Sequence, residues 1–153
     1  MNPYRHFQQY QILSTSPERL LLMLYDGAIR FTCQAIHGLE EENLALAHYG
    51  INKALAIISE FAETLDHEIG GEIAENLDAL YAFMIRELTL GNRHRDVDKL
   101  RTVEGLLRGL RDTWQEAIEI NNREVAGGKA AGESLGTTAA VELDNYVPLM
   151  VSR

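Results

Sequence analysis

Residues 16–39 read SPERLLLMLYDGAIRFTCQAIHGL, and this stretch sets the fold class. Ser16 offers a hydroxyl that accepts a hydrogen bond from a free first-turn amide. Pro17 follows at the first helical position, where its missing N–H costs nothing. Glu18 places a negative charge at the positive end of the helix dipole. At ~100° per residue, Leu20, Leu21, Leu24, Tyr25, Ala28, Phe31, Ala35, Ile36 and Leu39 gather on one stripe. Leu22, Met23 and Ile29 fall off it. The spacing predicts a helix from Ser16-Pro17 to about Leu39, where Glu40-Glu41-Glu42 marks a solvated corner.

The same test extends outward along the chain. A second helix is predicted from about Asn43 to Leu65, with Leu44, Ala47, Ile51, Ala54, Leu55, Ile58, Phe61, Ala62 and Leu65 as its stripe. Gly70-Gly71 breaks the chain. A third helix is predicted from about Gly71 to Asn92, burying Ile73, Leu77, Leu80, Tyr81, Met84 and Leu88. Asp96 is a suitable N-cap for a fourth, running to about Asn121 on Leu100, Val103, Leu106, Leu107, Leu110, Trp114, Ala117 and Ile118. No proline interrupts the chain between Pro17 and Pro148, and no period-two strand pattern competes. Short connections make successive helices antiparallel neighbours. The expected fold is all-α, an antiparallel up-down four-helix bundle over residues 16–121. An N-terminal cap segment (1–15) precedes it, and a flexible Gly-containing tail (122–153) follows. The tail ends in the apolar run Tyr146-Val147-Pro148-Leu149-Met150-Val151.

Composition narrows the function. A chain of 153 residues fits one domain with its own core. Its 23 acidic and 14 basic residues give a net charge of −9, which disfavours nucleic acid as a partner. Cys33 is the single cysteine and forms no internal disulfide. Neither a signal peptide nor an apolar run of ~18 residues is present, so no membrane insertion and a cytoplasmic location are expected.

Chemistry is hard to find in these residues. A carboxylate-bridged metal centre in a bundle needs Glu-x-x-His on two helices, and that motif does not occur. His67-Glu68 is followed by Ile69-Gly70-Gly71, not by the second histidine of a zinc helix. His6, His37, His48, His67 and His94 are scattered, and Asp66-His67-Glu68 reads as a polar helix end. Phosphate-binding glycine motifs and the Gly-x-Ser-x-Gly elbow are missing. Cys33 reads as a small packing residue. No catalytic residue, metal site or cofactor is expected.

Apolar residues, by contrast, exceed what a bundle needs. A helix requires roughly 100° of apolar arc, yet Leu22, Met23 and Ile29 carry helix one around most of its circumference. On helix three, Ala79, Phe83 and Leu90 lie opposite the main stripe with Arg86 among them. On helix two, Leu46 and Ile57 flank it near Lys53. Spare apolar positions of this kind mark grooves, and an amphipathic helix is their natural ligand. Homo-oligomer packing, or coverage by the terminal segments, would use the same residues. Tyr4, Phe7 and Tyr10 recur every three residues. They would either cap the bundle end permanently or occupy a groove until a partner displaces them.

An ordered set of segments carries a family resemblance. Asn2-Pro3-Tyr4 and the Tyr10 region come first, followed by Ser16-Pro17-Glu18-Arg19-Leu20 and Leu24-Tyr25-Asp26-Gly27-Ala28. Ile51-Asn52-Lys53-Ala54, Gly70-Gly71-Glu72-Ile73-Ala74, Asn76-Leu77, Leu80-Tyr81-Ala82-Phe83-Met84 and Trp114 follow in order. Over about residues 2–120 the chain resembles the FliS family of flagellar secretion chaperones. The resemblance implies a helical bundle without catalytic activity that binds the disordered C-terminal segment of flagellin in the cytoplasm. It also implies prevention of early polymerisation, delivery to a component of the flagellar type III export gate, and an N-terminal segment that moves on binding. On this view the cargo surface comprises Leu22, Ile29, Ile57, Ala79, Phe83 and Leu90. Tyr4, Phe7 and Tyr10 form the movable cap, while Leu24, Tyr25, Leu77, Tyr81 and Trp114 belong to the core. The expected state is a monomer or weak homodimer. The alternative function is a structural helical adaptor that homodimerises through its excess apolar surface.

Overall fold

Each helix starts at a residue whose side chain replaces a missing backbone acceptor. The Ser16 hydroxyl accepts from the Arg19 amide at 3.3 Å, and Asn43 Oδ1 accepts from Leu46 at 3.2 Å. Asp66 Oδ1 accepts from Glu68 at 3.0 Å and Ile69 at 3.2 Å, and Asp96 Oδ1 accepts from Asp98 at 3.1 Å. Four short polar side chains thus satisfy amides that helix formation leaves without partners. The computed structural model describes residues 16–131. Four helices run through them: α1 (Pro17–Glu40), α2 (Leu44–Glu63), α3 (His67–His94) and α4 (Val97–Ala131). Tyr4, Phe7 and Tyr10, and the Tyr146–Val151 run, lie outside the described residues.

The helices form a closed ring. α1 packs on α2 and α4, and α3 packs on the same two. Each helix contributes one large aromatic residue to the buried interior: Tyr25, Phe61, Tyr81 and Trp114. The Tyr25 and Phe61 rings stack at 4.6 Å between centroids, and Phe61 meets Tyr81 at 5.6 Å. The Tyr25 and Tyr81 hydroxyls share a hydrogen bond of 2.7 Å, so two polar atoms cross the core without an orphan between them. Burial pushes the Tyr25 phenol up to about 12, against the opposing hydrogen bonds from Tyr81 and Trp114. Burial likewise raises Tyr81, with Tyr25 adding to the effect. Leu24 and Leu77 pack partly buried against this core.

Small residues set the α1–α2 distance. A Cβ added at Gly50 would lie 2.5 Å from the Phe31 carbonyl oxygen and 2.8 Å from the Ala35 nitrogen. Only a hydrogen fits there, and the two backbones approach accordingly. The α1–α4 side is laced by charge instead: Asp26 pairs with Arg111 at 2.9 Å and Glu40 with Arg101 at 2.6 Å. These pairs are solvated and add little to stability.

Three differences from the sequence reading have physical causes. Helix α3 begins at His67, before the expected start near Gly71, because Asp66 caps a short first turn. Gly71 then breaks the helix from within, at φ +51° and ψ −126°, a conformation that favours glycine. Ile73, expected in the core stripe, is 43% exposed beside this kink. Helix α4 runs on from Asn121 to Ala131 through Gly127 and Gly128. Interior glycines each cost about 1 kcal/mol relative to alanine but do not stop a helix as proline does.

Candidate partner-binding surface

Once the interior is filled, the outer sides of the helices carry what remains. The residues expected on the cargo surface fall in different places. Ile29 is a core residue at 8% exposure. It stands one turn beyond Tyr25, as Tyr25 does beyond Leu21, so the i, i+4 spacing puts all three on one face. Ile29 therefore belongs to the buried face of α1 rather than to its outer surface. Leu22 is half-buried. It lies one turn before Asp26, on the side of α1 that meets α4. Ile57 is half-buried on α2, and its Cδ1 would stand 3.5 Å from a Cβ on Gly27, which places it at the α1–α2 seam. Ala79 is exposed, while Phe83 and Leu90 are half-buried. These three share one stripe of α3, where the Arg86 guanidinium lies 5.6 Å from the Phe83 ring centre.

The structure thus brings Ala79, Phe83 and Leu90 together, and separates them from Leu22 on the α4 side and Ile57 on the α1–α2 side. Large apolar side chains also stand open at the bundle end where α1 begins and α3 begins. Met23, Ile69 and Ile73 are exposed there, with Ile120 and Val125 along the late part of α4. Of these, Met23 falls off the apolar stripe of its helix in the sequence, Ile73 falls on one and is nonetheless exposed, and periodicity alone does not single out Ile69, Ile120 or Val125.

A second feature was missed from sequence. Arg30 lies over the Phe31 ring at 5.1 Å, and Phe31 meets Tyr49 edge-on at 6.0 Å. The Lys53 ammonium lies 5.7 Å from the Tyr49 ring centre. The result is a cation–ring–ring–cation ladder across the α1–α2 seam, with Ile57 one turn beyond Lys53. Its signal in the sequence is negative: Gly27–Leu39 and Asn43–Ser59 contain no aspartate or glutamate, in a chain with 23 acidic residues.

Cys33 is half-buried with its Sγ 3.7 Å from an Arg108 nitrogen. Burial, and after it the charge of Glu104, push this thiol up, away from the thiolate a nucleophile needs. Among the described residues no group of three or more histidine, cysteine or carboxylate side chains is placed to hold a metal ion. Among them, too, no helix is long and apolar enough to cross a membrane.

The chain is similar in sequence to several known proteins. The family model described as flagellar protein FliS matches residues 1–121. The flagellar secretion chaperone FliS of Campylobacter jejuni is 35% identical over 123 residues, covering 80% of this chain and 94% of the relative. That of Bacillus subtilis is 34% identical over 126 residues, covering 82% and 93%. That of Salmonella typhimurium is 38% identical over 106 residues, covering 69% and 78%.

Proposed function

This chain belongs to the FliS family of flagellar secretion chaperones, which are not enzymes, and from that premise we propose that it binds the C-terminal segment of flagellin. Binding takes place in the cytoplasm, keeps the segment from polymerising early, and presents it to a component of the type III export gate. One observation supports this reading above the others. The core is complete, yet Ala79 and half-buried Phe83 and Leu90 form an apolar stripe on the outside of α3. A segment that builds a filament is amphipathic and self-associates when exposed. A chaperone shields it by offering a competing apolar surface of helical period. The cost of ordering the segment moderates affinity for a given area, which suits a cargo released at export. Tyr4, Phe7 and Tyr10, outside the described residues, remain the candidate cap, and the unliganded protein is a monomer or weak homodimer.

The test is titration calorimetry of the full chain with a flagellin C-terminal peptide, with circular dichroism of the same mixture. One-to-one binding with a gain of helix and a negative heat-capacity change is expected. Absence of binding by a folded monomer would refute the assignment. Absence of binding by a stable dimer would move the apolar stripe into a subunit interface.

A further inference from the structure

We propose that the α1–α2 outer face, through the Arg30–Phe31–Tyr49–Lys53 ladder, selects a partner segment that carries carboxylates beside its apolar stripe. The inference rests on the reading that this bundle receives an amphipathic segment, and it specifies the chemistry of that segment. Charge distribution carries it. Among the described residues, ion pairs take their cations from α4: Lys99, Arg101, Arg108 and Arg111. Arg30 and Lys53 instead lie over aromatic rings. Both are exposed, and their charges stay open to solvent. The first carboxylate along α2 is Glu60, beyond Ile57. A chain of net charge −9 therefore leaves the stretches that carry the ladder without a carboxylate, bounded by Asp26, which Arg111 engages one turn before Arg30, and by Glu60 one turn beyond Ile57, and sets two cations between them, each beside a ring that also offers apolar contact.

Such a face complements a helix whose apolar side chains meet Phe31, Tyr49 and Ile57 while flanking carboxylates reach Arg30 and Lys53. The rings limit the freedom of both cations before binding, so less ordering is required on contact. Long-range charge works the other way, because a net charge of −9 attracts cationic peptides. A preference for an acidic segment therefore has to arise locally.

The experiment uses the full chain and two designed amphipathic peptides of identical apolar stripe, one flanked by glutamates and one by lysines. A flagellin C-terminal peptide runs in parallel. Wild type is expected to bind the glutamate peptide about three- to tenfold more tightly, a gap that narrows with added salt. Arg30→Glu/Lys53→Glu should reverse the preference, and Arg30→Gln/Lys53→Gln should abolish it, each with an unchanged circular dichroism spectrum. Equal affinities, a preference for the lysine peptide, no binding of either peptide, or a preference that survives charge reversal would each overturn the inference. Failure of the flagellin peptide alone, with the glutamate preference intact, would refute the flagellin assignment and leave the inference standing.

Discussion

Replacing Gly50 by alanine and replacing Gly105 or Gly109 by alanine are the same chemical change with opposite expected signs. Inside a helix the change gains about 0.8–1.0 kcal/mol of intrinsic propensity. Nothing lies within 4 Å of a Cβ at Gly105 or Gly109, so there the gain stands nearly alone. At Gly50 the new methyl would sit 2.5 Å from the Phe31 carbonyl oxygen and 2.8 Å from the Ala35 nitrogen. Comfortable contacts are about 3.5 Å, so α2 must withdraw by about 1 Å. The opposing atoms are backbone, and no rotamer change relieves them. Overpacking costs about 1–3 kcal/mol and lies at the upper end or beyond when helices must separate. The net expectation for Gly50→Ala is a loss of about 2 kcal/mol. With a urea m-value of about 1–2 kcal/mol/M, the unfolding midpoint falls by about 1 M or more. Gly105→Ala should raise it by up to about 1 M, with m unchanged in both. Equilibrium urea unfolding followed by circular dichroism measures both. A Gly50→Ala protein as stable as wild type would refute the close α1–α2 approach. The same withdrawal moves Phe31 away from Tyr49, so the glutamate-peptide preference should weaken as well.

Further outcomes follow from the same structure. Arg95 ends α3 in the left-handed region at φ +53°, so Arg95→Gly should stabilise the bundle by about 1 kcal/mol, read as a higher Tm. Tyr25 and Tyr81 both have phenols raised above the ordinary value of 10 by burial. Above pH 10 the unfolded chain releases protons that the folded one keeps, so stability is complete below that pH and falls as pH climbs toward about 12 for Tyr25. Each phenol contributes a slope of up to about 1.4 kcal/mol per pH unit. Urea midpoints measured between pH 9 and about 11 should decline, and Tyr25→Phe/Tyr81→Phe should flatten the decline. Phe83→Glu should weaken binding of the flagellin peptide by about tenfold or more while leaving Tm within a few degrees, since Phe83 is half-buried. Unchanged affinity would remove the α3 stripe from the cargo surface.

Much of the fold was legible in the chain, because the signals that start helices act over three or four residues. Ser16, Asn43 and Asp96 each bond an amide two or three positions ahead and mark the starts expected from the sequence, whereas Asp66, which bonds amides equally near, reads there as a polar helix end because Gly70-Gly71 is the louder signal. The broad apolar stripes are likewise a property of 3.6-residue spacing. The site was less legible. Ala79, Phe83 and Leu90 share a stripe because local periodicity puts them there. Ile29 was misplaced because a helix touched on two sides buries a wider arc than the wheel of one helix reveals. Its i, i+4 step from Tyr25 was the signal available.

Helix existence and order thus came from local chemistry along the chain, while α3 and α4 run longer than that chemistry indicated. Which side of α1 faces α4 is decided by packing between segments remote in sequence, where Arg101 and Arg111 meet partners 61 and 85 positions away. The Arg30–Phe31–Tyr49–Lys53 ladder arose because Gly50 lets two backbones approach until their neighbouring rings meet. Exposure is decided by what other helices cover. That coverage depends on distances between segments remote in sequence, and only their packing sets those distances.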